Sequence, residues 1–160
     1  MYRFLFVCLL ITNAAFSQNF WQLNECVRSI PDPLAIKSSV ASSSFQLDTL
    51  NGIGYESILL KNGDSLFLRN SGCEYFSVEF TYISEEDLSD SHQTIIDVLN
   101  IASKVVDFSF GYDDVMEIAK SDGIKVGEEY ILNPSEISER FTLERMDNHN
   151  VNFWFSIGPL

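Results

Sequence analysis

From Phe76 to Tyr82 the chain alternates: Phe76, Val78, Phe80 and Tyr82 stand at one parity, and Ser77, Glu79 and Thr81 at the other. A period of two predicts a strand with one dry face and one wet face. The same grammar runs upstream. In "SFQLDTL" Phe45 and Leu47 alternate with Gln46 and Asp48, and "NGIG" at 51–54 follows as a hairpin or bulge. "YESILLK" and "SLFLRN" then flank Asn62-Gly63, a strong short-range hairpin signal. "NSG" at 70–72 makes the next turn, and Cys73 opens the following strand with Tyr75 on its polar parity. Residues 45–83 therefore predict an antiparallel meander, preceded by a serine-rich surface loop at 38–44.

Beyond Ser84 the period changes. Ile95, Val98, Leu99, Ala102, Val105 and Val106 recur at helical spacing, which predicts a long helix from about Asp87 to Asp107. The acids Glu85, Glu86, Asp87 and Asp90 fall near its start, where the helix dipole favours negative charge. A short helix is predicted at Asp113–Lys120, with Gly123 as a stop. "KVGEEYIL" predicts a further strand, and "RFTLERM" and "VNFWFSI" flank "DNHN" as a final hairpin. In the last strand Val151, Phe153, Phe155 and Ile157 share a face, and Asn152, Trp154 and Ser156 share the other. Strands, two helices and strands again predict an α+β fold, the meander and the C-terminal β-hairpin forming a sheet with both helices packed on one side.

The N-terminus changes the compartment. "MYRFLFVCLLITNAAFS" has a basic Arg3, an apolar run from Phe4 to Ile11, and small Ala15 and Ser17 before Gln18. This predicts a signal peptide over residues 1–17, cleaved to leave one globular domain over 18–160. The run is too short for a bilayer span, which takes about 20 apolar residues. The expected product is exported, periplasmic or secreted, with no stable membrane insertion after cleavage. The serine-then-glutamine exit resembles those of exported proteins of Gram-negative bacteria. Export also removes Cys8 and leaves Cys26 and Cys73, an even pair in an oxidising compartment. A disulfide between them is expected, worth about 4 kcal/mol in the chain-entropy model.

Charge narrows the partners. The chain carries 23 acidic and 10 basic side chains, a formal charge of −13. Cleavage removes Arg3 and leaves −14. Such a surface repels phosphate backbones and anionic headgroups, so no nucleic acid is expected as a partner. A cationic protein partner is the sharper reading of the charge, and solubility is the plainer one.

Candidate chemistry is sparse, and no catalytic residue, cofactor or metal is assigned. The two histidines, His92 and His149, have no glycine-flanked serine elbow to serve. Asp113–Asp114 and Glu128–Glu129 are adjacent pairs, and neighbours on a strand diverge. No EF-hand, H-x-x-x-H, C-x-x-C or phosphate-binding glycine loop occurs. Tyr75 and Trp154 are left over, aromatic residues at polar parities. They are either covered by a second layer or exposed as a protein-binding surface. The sequence therefore points to an exported acidic domain that acts by protein binding, such as an inhibitor or immunity-type protein for a basic partner. The alternatives are a carboxylate-dependent hydrolase outside the cytoplasm and a structural component of the envelope.

Overall fold

A computed structural model describes residues 31–71, 76–88, 92–107, 111–121, 123–133 and 137–159. The elements run β1 (Ser42–Asp48), β2 (Ile53–Leu59), β3 (Ser65–Ser71), β4 (Ser77–Ile83), α1 (His92–Val105), α2 (Tyr112–Ser121), β5 (Glu129–Asn133), β6 (Ile137–Met146) and β7 (Asn150–Pro159). The seven described strands join one antiparallel sheet in the order β1-β2-β3-β4-β7-β6-β5. This is the α+β architecture the patterning predicts, with the meander and the C-terminal hairpin joined along β4 and β7.

The expected dry face is the core. Phe80 stacks on Phe153 across β4 and β7, with ring centroids 4.8 Å apart and planes 9° from parallel. Phe155 meets Phe141 of β6 edge-on at 5.0 Å and Tyr112 of α2 at 5.1 Å. Edge-to-face contact sets the positive ring edge against the negative face of its neighbour, adding to area burial. Ile95, Val98, Leu99, Ala102 and Val105 of α1, with Val115 and Ala119 of α2, complete this layer. Both helices thus cover one face of the sheet.

Turn chemistry fixes the meander. At the β2–β3 turn Leu60 N–H donates to Asp64 O at 2.8 Å, and Gly63 takes a φ of 101°. At the β1–β2 turn Asp48 Oδ1 accepts from Leu50 N at 3.0 Å and Asn51 N at 3.2 Å. The second glycine of "NGIG", Gly54, is a close-approach site: a Cβ there would lie 2.7 Å from the Phe45 ring.

Two expectations need correcting. Ser42–Ser44 belong to β1 rather than to a loop, because they pair with Leu59, Ile58 and Ser57 of β2. Asp87 and Leu88 lie outside the helix, and the described helical run begins at His92. The reason is tertiary. Ser84 N and Leu88 N donate to His149 O (2.9 Å) and Asn148 O (2.6 Å), lashing this acidic segment to the β6–β7 turn. At the other end Val106 leaves the helix to bridge Ala35.

Candidate functional site

The register places a second set of side chains on the face away from the helices. Tyr55 pairs with Arg69, Arg69 with Glu79, Glu79 with Trp154, and Trp154 with Thr142. One cross-strand row thus runs Tyr55–Arg69–Glu79–Trp154 over four strands. The next row carries Ser57, Phe67, Thr81 and Asn152, and the one after it Leu59, Ser65, Ile83 and Asn150. Directly opposed side chains on one face of a sheet touch, so each row is a continuous surface.

This face is open among the described residues. Tyr55 is 44% exposed, Leu59 44% and Phe67 41%, whereas the parity-opposite Ile58, Leu66 and Leu68 are buried. Trp154 is half-buried, and its Nε1–H donates to Ser77 Oγ, which fixes the indole plane. Glu79 is held from both sides. Its Oε1 accepts from Asn152 Nδ2 at 3.1 Å, and its Oε2 faces Arg69 Nη1 at 3.8 Å. The ion pair is exposed and contributes little stability, about 0–1 kcal/mol. Its place is more informative than its strength. It stands between two shallow depressions, one lined by Tyr55, Phe67 and Thr81, the other by Ser77, Asn152, Glu144 and Trp154.

Sequence reasoning singled out Trp154 and missed Tyr55, Phe67 and Arg69. Parity was the available signal: Phe67 and Arg69 alternate with Leu66 and Leu68, as Trp154 alternates with Phe153 and Phe155. Tyr75, Cys26 and Cys73 lie outside the described residues, as does the expected signal peptide over 1–17. The expected pairing of Cys26 with Cys73 therefore has no geometry here.

The remaining chemistry-bearing residues are scattered. His149 Nε2 lies 3.3 Å from Asp87 Oδ1 in an exposed contact. The His92 ring packs against Gly123. Asp113 and Asp114 sit in the first turn of α2, where the dipole accommodates them. Glu128 accepts from the Tyr130 hydroxyl at 3.2 Å and faces Lys125 Nζ at 3.6 Å. Among the described residues two carboxylates are buried, and both serve as fasteners. Glu56 accepts from Leu34 N and Ala35 N, and Asp64 accepts from the Tyr82 hydroxyl and from Glu85 N. Burial, then the Asp64 carboxylate beside it, pushes the Tyr82 hydroxyl well above the usual tyrosine range. Among the described residues no three His, Cys, Asp or Glu side chains converge as a metal site, and no helix is long and apolar enough to cross a membrane. No protein-family model, curated protein or solved structure matches this chain.

Proposed function

We propose that the protein works by binding a basic protein through the open face of its sheet. The observation that carries this reading is the row Tyr55–Arg69–Glu79–Trp154 on the open face, with Tyr55 and Arg69 exposed, Glu79 and Trp154 half-buried, and Phe67 and Leu59 exposed beside it. Trp, Tyr and Arg are the residue types that most often anchor protein interfaces. Trp154 is fixed by Ser77, so binding costs little of its side-chain freedom. The net charge of −13 supplies the sign of the partner, because long-range attraction acts mainly on encounter and suits a cationic surface. An inhibitor or immunity-type role for an exported basic protein fits this combination.

The test is capture from an envelope extract fractionated by charge, followed by binding kinetics with the captured cationic protein. Added salt should slow association, because screening weakens steering. Trp154→Ala should speed dissociation and leave association nearly unchanged. Equal capture by wild type and Trp154→Ala would reject the face, and salt-insensitive association would reject the charge argument.

A further inference from the structure

The sheet has two ends, and they differ. At one end β5 is a five-residue strand, irregular in register between Ile131 and Asn133 and preceded by Glu128. Short, bulged and charged edges are how sheets resist pairing with other chains. At the other end β1 has none of these devices. "SSSFQLD" is seven residues long, pairs with β2 without a register shift, and holds no proline or lysine and a single charge, Asp48.

Its outward groups can be identified. Leu60 N donates to Asp64 O, so residue 60 turns its backbone toward β3. Backbone direction alternates along a strand, so Leu59, Ser57 and Tyr55 turn toward β1. Ala41 N donating to Leu59 O agrees. Ser42, Ser44 and Gln46, opposite them, therefore bond to β2. Ser43, Phe45 and Leu47 point their N–H and C=O groups away from the sheet. No described residue bonds to those groups.

We propose that two copies of the chain join through β1, antiparallel and centred on Phe45, as one continuous sheet. The register is self-complementary. Phe45 faces its own copy and Ser43 faces Leu47, so each outward N–H meets an outward carbonyl. The single charge, Asp48, faces Ser42 rather than a like charge. The two-fold axis runs through the sheet, so both open faces look the same way. Tyr55 and its copy then stand about 16 Å apart, three strand spacings across and two residues along. This inference rests on the edge and is independent of what the open face binds.

Sedimentation equilibrium of the purified protein from micromolar to millimolar concentration tests it, with circular dichroism as the fold control. The mass should rise to twice that of the chain. Ser43→Pro deletes an outward N–H without touching the β1–β2 bonds and should leave a monomer. Ser44 and Gln46 are exposed and face each other's copies across the axis. Ser44→Lys with Gln46→Lys sets like charges opposite and should weaken dimerisation roughly fivefold, whereas Ser44→Lys with Gln46→Glu should tighten it by a similar factor. The charge variants decide the matter should Ser43→Pro fail to fold. A monomer at every concentration would overturn the proposal, as would a dimer whose affinity ignores both charge arrangements.

Discussion

Glu56 is the residue whose removal should reveal how this fold is tied. It sits on β2, 4% exposed, and faces into the helix layer. Its Oε2 accepts from Leu34 N at 2.7 Å, and Ala35 N is shared between Oε2 at 3.2 Å and Oε1 at 3.3 Å. Those amides belong to a strap that also holds the end of α1. Ile36 N donates to Val105 O, and Asp107 N donates to Leu34 O, both at 2.7 Å. Glu56→Ala removes the acceptor and leaves the strap amides unanswered. A hydrogen bond to a charged group contributes about 1.5–3 kcal/mol. One short bond and one shared, longer one come to about 3–4 kcal/mol; because the strap is only half-buried, water recovers part of this, leaving about 2–3 kcal/mol. At this chain length that lowers Tm by roughly 4–12 °C.

Glu56→Gln keeps the shape and one carbonyl acceptor but turns an NH2 toward a donor, so it should recover less than half of the loss. Thermal unfolding followed by circular dichroism gives the magnitude, and amide exchange gives the location. Exchange should quicken at Leu34, Ala35, Ile36 and Asp107 and stay unchanged at Phe153 and Phe155 in the sheet centre. A Tm unchanged in Glu56→Ala, or wild-type stability in Glu56→Gln, would refute the reasoning that this carboxylate clamps the strap.

Two further outcomes follow from buried or crowded groups. Burial raises the hydroxyl pKa of both Tyr82 and Tyr112 above the unfolded value, so their contribution to stability is complete below about pH 10 and is lost as pH rises above it. In an ultraviolet alkaline titration their ionisation should appear only with unfolding; a fast, reversible step that vanishes in Tyr112→Phe would contradict this. Gly123 has a φ of 77°, and a Cβ there would lie 1.8 Å from His92 Cε1, so Gly123→Ala should cost about 1–3 kcal/mol. Adding His92→Ala should recover the contact but not the backbone strain, and a full recovery would place the whole cost in the clash.

The meander and the last hairpin were legible because their information is local. Alternation, Asn62-Gly63 and the "DNHN" turn each lie within a few residues of the pairing they specify. The junction of β4 with β7 was not, because no window contains both Phe80 and Phe153. The same blindness misplaced the helix start. "SEEDLSD" reads as a dipole-favoured first turn until the β6–β7 turn is beside it to take the amides of Ser84 and Leu88. At the candidate site, parity marked Trp154 as outward. Parity could not show that Tyr55, Arg69 and Glu79 share its row, because that is a property of strand order.

Strand order also changes what the net charge means. Arg69, Arg140 and Arg145 are the three arginines among the described residues, and the register puts all three on the open face. The described lysines, Lys37, Lys61, Lys104, Lys120 and Lys125, lie in loops and helices. Against the arginines that face sets Glu79, Glu129 and Glu144, with Asp48 at the end of β1. It is close to neutral on a chain of charge −13. The excess acid lies elsewhere, as in Glu85–Asp87 and in Asp113, Asp114 and Glu117 of α2. A field from those regions reaches about 10 Å in salt, far enough to draw a cationic partner but not to specify its contacts. In the proposed complex, contact on the open face would rest instead on ring area and on guanidinium groups that suit carboxylates. The proposed partner is thus basic in sum while offering an apolar patch with its own acids at the point of contact. A uniformly cationic surface would find acids and arginines in near balance there, and no net charge on that face to hold it.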